Sequence, residues 1–107
     1  MNAQENKIQE MQILEQNLQN ILMQKQAFQM ELSETESALI EINKSGDEVF
    51  KIIGQLMIKS DKSKILEELS DKEKILNLRL NSLEKQENSI SKKLSEFRDE
   101  VMKEMGK

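Results

Sequence analysis

The sequence predicts a mostly α-helical chain with a small β element: an antiparallel two-helix coiled coil joined by one β-hairpin that assembles into an oligomeric β-barrel hub. Three observations carry that expectation. The stretches on either side of the middle run for roughly forty residues each without Gly or Pro. Apolar residues in both stretches recur at alternating spacings of three and four. Between them, Glu48 to Lys59 is dense in β-branched and large apolar side chains, with Gly54 near its midpoint. On this reading residues 1–45 form the first helix, 46–60 the hairpin and 61–107 the second helix of a single domain.

In the first arm the stripe reads Lys7, Met11, Leu14, Leu18, Ile21, Lys25, Phe28, Leu32, Thr35, Leu39, Ile42, and eight of these eleven positions are apolar. A period of about 3.5 keeps one stripe facing a partner helix along its whole length, which is the coiled-coil signature. Propensity alone stabilises a long helix little, so the stripe must bury against something. Lys25 and Thr35 interrupt it, either as register-setting residues or as polar contacts for a ligand; no cluster of like residues supports the second reading. Asn43-Lys44-Ser45-Gly46 ends the helix, with Gly46 expected as the residue just past its C-terminus. Ile8, Ile13, Leu22, Met23 and Met30 lie off the stripe. They are either scattered surface residues or, near the free end, part of a patch for a partner.

The second arm begins with candidate N-caps in Ser60-Asp61-Lys62-Ser63. Its stripe is Leu66, Leu69, Glu73, Leu76, Leu80, Leu83, Glu87, Ile90, Leu94, Phe97, Val101, Glu104, of which nine of twelve are apolar. The helix is expected to run to about Met105. Folding back at the hairpin makes the arms antiparallel. Setting Ile42 level with Leu66 brings Leu39 to Leu69, Leu32 to Leu76, Phe28 to Leu80, Leu18 to Ile90, Leu14 to Leu94 and Met11 to Phe97. Thr35 then sits level with Glu73, and Lys25 and Glu87 fall in adjacent layers. Both ends of the chain arrive at one tip, where Ile8, Met11, Ile13, Val101, Met102 and Met105 are the outermost apolar residues. They read either as a gripping patch, suited to it by the flexible, polarisable Met side chain, or as ordinary frayed helix ends.

Gly54-Gln55 is the expected hairpin turn, since Gly supplies the positive φ that tight turns need. Alternation puts Val49, Lys51 and Ile53 on one face and Phe50 and Ile52 on the other, while Leu56 and Ile58 oppose Met57 and Lys59. Both faces are largely apolar, so neither is a wet side. A lone hairpin is marginal in water and leaves two edges unpaired. Pairing with hairpins from other chains, closing a barrel, removes the edges.

Composition excludes much else. Only three residues are aromatic, all Phe, and 34% of the chain is charged, which argues against a thick core and for long helices. The net charge of −4 with interspersed signs gives no basic stripe for a nucleic acid. No apolar run approaches the ~18 residues that span a membrane, and neither arm has the strongly basic face of a membrane-surface helix. There is no Cys and no His. That removes disulfides, thiolate metal sites and the commonest general base, so no metal, no cofactor and no enzyme activity is expected. With no leader visible at the N-terminus, the chain is expected to be cytoplasmic.

The run Val49-Phe50-Lys51-x-x-Gly54-x-Leu56-Met57-Ile58-Lys59, followed by Leu76-Asn77-Leu78-Arg79-x-x-x-Leu83-Glu84-Lys85-Gln86-Glu87, closely resembles the archaeal prefoldin beta subunit family. The resemblance extends over essentially the whole chain, in helix–hairpin–helix order and in length. A single hairpin points to the beta type, because the alpha type carries two. Ile52 and Ile53 depart toward greater apolarity from the small polar residues sometimes found before the hairpin Gly. The resemblance implies a hexamer of two alpha-type and four beta-type subunits around a double β-barrel. It implies an ATP-independent chaperone that holds unfolded client proteins at its coiled-coil tips and delivers them to a group II chaperonin. Client-binding residues by position would be Ile8, Met11, Ile13, Val101, Met102 and Met105. The assembly element would be Val49, Phe50, Ile52, Ile53, Gly54, Leu56, Met57 and Ile58. The alternative is a structural coiled-coil scaffold or dimerisation adaptor. It explains the stripes equally well but not a hairpin apolar on both faces.

Overall fold

A computed structural model describes residues 2–106. Helix α1 spans Ala3–Lys44, strand β1 Glu48–Ile53, strand β2 Leu56–Asp61 and helix α2 Lys62–Met105. The start of α1 is capped by Asn2, whose side-chain oxygen accepts the Glu5 backbone N–H at 2.8 Å. Glu5 also places an acidic group in the positive first turn. At the other end Gly46 lies just past the helix, as expected, but without a left-handed twist, since among the described residues only Gly54 has positive φ. Ser45 stops the helix instead. Its backbone N–H reaches the Glu41 and Ile42 carbonyls at 3.1 and 3.3 Å, and its hydroxyl donates to Ile42 at 2.8 Å. Lys62 then donates its ammonium to the Ser45 carbonyl at 2.8 Å. Ser45 satisfies two of the last carbonyls and the Lys62 cation the first one past the helix, with no glycine twist.

Of the candidate caps for α2, Asp61 is the one that engages the helix. Its carboxylate accepts the Ser63 backbone N–H at 3.1 Å and the Ser63 hydroxyl at 3.0 Å. The chain divides into two compact units, Phe28–Arg79 and Met1–Ala27 with Leu80–Lys107, and each helix contributes a segment to both.

In the unit Phe28–Arg79 the buried residues are Ile42, Val49, Leu76 and Thr35, with Leu32, Leu39, Leu66 and Leu69 half-buried. Thr35 is only 3% exposed. Its hydroxyl donates to the Glu31 carbonyl one turn back at 2.8 Å, rather than looking to Glu73 as the register suggests. A β-branched hydroxyl in a helix can satisfy itself this way, so the buried polar group needs no partner across the seam. Arg79 lies over the Phe28 ring, 5.6 Å from its centroid, and Lys72 approaches Glu31 at 3.5 Å.

In the other unit Ile21, Leu83 and Leu94 are buried, flanked by half-buried Met11, Leu14, Leu18, Leu80, Ile90 and Phe97. Lys25 meets Glu87 at 2.9 and 3.4 Å, both side chains about four-fifths buried. Lys7 meets Glu100 at 3.0 Å and Glu104 at 3.3 Å. Moving back along α1 from Lys25 to Lys7 moves the partner forward along α2, so the helices are antiparallel here. Glu104, placed on the stripe by its spacing, is exposed instead, its carboxylate turned toward Lys7.

A charged pair set into an apolar seam favours one alignment, because any slip strands a desolvated charge. Lys25→Glu is therefore expected to destabilise the chain by about 1–3 kcal/mol, between the values for surface and buried pairs. Lys25→Glu/Glu87→Lys should recover most of that loss, read as the urea midpoint by helical circular dichroism. Identical midpoints for the native chain and the single variant would rule the pair out as a register device.

Candidate functional site

The two strands form a two-stranded antiparallel sheet in the register Glu48↔Asp61, Val49↔Ser60, Phe50↔Lys59, Lys51↔Ile58, Ile52↔Met57 and Ile53↔Leu56. Gly54 has φ 60° and Gln55 is not in the positive region, so the two-residue turn fits type II′, which asks for Gly first. The register puts Val49, Lys51, Ile53, Leu56 and Ile58 on one face and Phe50, Ile52, Met57 and Lys59 on the other. Val49 alone of these is buried. Phe50, Ile52, Ile53, Leu56, Met57 and Ile58 are exposed, Ile52 at 69% and Met57 at 67%. Among the described residues no third strand pairs with either edge.

The hairpin is held to its helices by few contacts. Val49 enters the apolar interior, Lys51 pairs with Glu68 at 3.2 Å, and Asp61 and Lys62 fix the junctions. A groove of about 560 Å³ lies between hairpin and helices, with Ile42, Ile65 and Leu69 on the helix side and Phe50, Ile52 and Met57 on the strand side. Spacing misses Ile65 and the Lys51–Glu68 brace. Ile65 precedes a stripe residue and reads as surface until the hairpin is placed above it; the brace joins residues of different periodicity and has no one-dimensional signal.

The six residues expected at the chain ends separate into two groups. Ile8, Ile13, Met102 and Met105 are exposed. Met11 and Val101 are half-buried on the helix stripes, so they offer a partner less area. A groove of about 390 Å³ is lined by Ile13, Leu14 and Phe97, with Glu10, Lys93 and Glu96 also around it. The off-stripe residues Leu22, Met23 and Met30 are exposed, as are Ile40, Ile75 and Leu78. Among the described residues no helix is long and apolar enough to cross a membrane, and no group of three His, Cys, Asp or Glu is placed to hold a metal.

Comparison with known proteins gives a consistent result. The family Prefoldin_2, described as prefoldin subunit, matches residues 5–107. The chain is 44% identical over 89 residues to the prefoldin subunit beta of Thermococcus onnurineus, covering 81% of this chain and 77% of that one. It is 33% identical over 104 residues to the prefoldin subunit beta of Methanothrix thermoacetophila, covering 95% and 87%. The crystal structure of the prefoldin beta subunit from Thermococcus strain KS-1 superposes with a TM-score of 0.88 at 34% identity, covering 96% of this chain and 92% of that one.

The Lys7 ammonium is held above its ordinary 10.5 by hydrogen bonds to Glu100 and then Glu104. A lysine raised in the folded state stabilises it fully below the unfolded pKa, and the effect fades as pH climbs through the folded value. Lys7→Met should therefore loosen the helix ends near pH ~9, while the difference between native and variant chains should fade as pH climbs past the raised lysine value. Helical circular dichroism across that range checks the expectation, and a difference that persists at the alkaline limit would contradict it.

Proposed function

This chain belongs to the prefoldin subunit family and is a chaperone subunit of coiled-coil build, and we propose that it works by capturing unfolded proteins at its apolar helix ends and passing them to a group II chaperonin. In this reading the hairpin joins the chain to an alpha-type prefoldin subunit and to other beta-type chains, in a hexamer of two alpha and four beta. The observation that carries the assembly role is the six exposed apolar side chains on a hairpin with both edges open. Burying them against sister strands removes apolar area from water at roughly 25 cal/mol per Å² and pairs the free backbone groups. The capture role falls to the exposed Ile8, Ile13, Met102 and Met105, with Met11 and Val101 behind them. Residues 1–107 act as one prefoldin-type domain in the cytoplasm. Capture needs no nucleotide, since it is reversible burial of apolar surface and performs no covalent step.

Two sets of variants separate the surfaces. Phe50→Asp/Ile52→Asp/Met57→Asp should abolish the hexamer formed with an alpha-type partner, read by native mass spectrometry. Ile8→Ser/Ile13→Ser/Met102→Ser/Met105→Ser should leave the hexamer mass unchanged and weaken suppression of aggregation of a denatured protein by about tenfold or more, given ~1.5–3 kcal/mol for each large apolar side chain buried. A stable homodimer that ignores the alpha-type chain and suppresses no aggregation would identify a plain coiled-coil scaffold.

A further inference from the structure

The chain contains no Cys, His, Trp or Tyr, and it contains seven Met. Thioether sulfur is therefore the side-chain atom most open to a two-electron oxidant. Met102 is 66% exposed and Met105 is 73% exposed. They stand three residues apart on α2, so they share one face. Met11, from the same ends, is half-buried on the α1 stripe. Resting on the reading of the ends as a client grip, we propose that Met102 and Met105 form an oxidation site through which peroxides weaken that grip.

The sulfur lone pair attacks one peroxide oxygen. The O–O bond breaks, an S–O bond forms, and the second oxygen leaves as water after proton transfer. Sulfur loses two electrons and the peroxide gains them. The product sulfoxide is a strong hydrogen-bond acceptor where an apolar, flexible group stood. Pressing it against an apolar client segment strips water from a polar oxygen that gains no partner. Clients lose hold at the oxidised surface. Reduction of the sulfoxide by methionine sulfoxide reductase restores the thioether and the grip.

The test uses the complex with an alpha-type partner, treated with hydrogen peroxide that is destroyed before a denatured protein is added. Peptide mass spectrometry should find one added oxygen on each of Met102 and Met105, and also on Met23 and Met30, which are similarly exposed, with the subunit composition of the complex unchanged. The concentration needed for half-suppression of aggregation should rise about tenfold, matching the loss of a buried Met-sized contact or more. The Met102→Leu/Met105→Leu variant, compared with its own untreated capacity, should show no peroxide effect. Full oxidation with undiminished capture overturns the proposal, as does an equal loss in the Leu variant. So does dissociation of the complex, which would move the effect to the hairpin and Met57. If Met102→Ser/Met105→Ser captures clients as well as the native chain, the grip reading itself fails. If that variant is weakened while the oxidised native chain is not, only the oxidation site is lost.

Discussion

A β-hairpin whose edges are open and whose two faces are both apolar constrains everything else in this molecule. Six of its apolar side chains stay exposed, and Val49 alone of its apolar residues reaches the interior formed with the helices. Strand edges left unpaired in water are a template for further strands. A protein that keeps such a segment has either a place to put it or an aggregation problem. In the function proposed for this chain, the hairpins of sister subunits supply the place. The type II′ turn at Gly54-Gln55 and the Lys51–Glu68 brace then read as devices that hold the two strands ready for pairing.

The helices show the converse economy. Each unit is one helix segment against another, with few residues truly buried and most stripe positions half-exposed. A seam that thin discriminates poorly between alignments on apolar area alone, since shifting a Leu by one heptad meets another Leu. Of the polar interruptions, only the charged ones supply the missing discrimination. Lys25 and Glu87 do so across the seam, while Thr35 stays neutral to register by bonding its own helix.

The periodicity of Leu and Ile makes both helices and their facing stripes legible in the amino-acid sequence, and the hairpin between them makes their antiparallel course legible. Gly54 among β-branched neighbours does the same for the hairpin and its turn. Each of those signals is local or repeats along the chain. The place where α1 ends is legible too, but not how its end is satisfied, because Ser45 meets the Glu41 and Ile42 carbonyls and the Ser45 carbonyl accepts from Lys62, seventeen positions further on. Spacing pairs Thr35 with Glu73 because it shows which positions are level and not which polar atoms are already satisfied. At the chain ends, spacing places Met11 and Val101 on the seam stripes and Met102 and Met105 off them, and the half-buried and exposed states follow that division.

The two exposed apolar surfaces differ by degree in side-chain chemistry: stiff residues outnumber Leu56 and Met57 on the hairpin, while Met102 and Met105 share the chain ends with Ile8 and Ile13. The hairpin presents Ile52, Ile53, Ile58 and Phe50, three β-branched residues and a ring, whose few rotamers lose little entropy on fixing and suit one permanent partner geometry. The α2 end presents Met102 and Met105, whose unbranched chains re-pack against many shapes at a cost in affinity for any one of them. A stiff surface would hold one client well and reject the rest, whereas a flexible surface at the hub would assemble in several registers. Exchanging the two residue sets would therefore damage both tasks, even though total apolar area would hardly change. In the proposed reading, the larger share of stiff side chains on the hairpin and of Met at the α2 end, more than the amount of apolar surface, distinguishes an assembly surface from a capture surface.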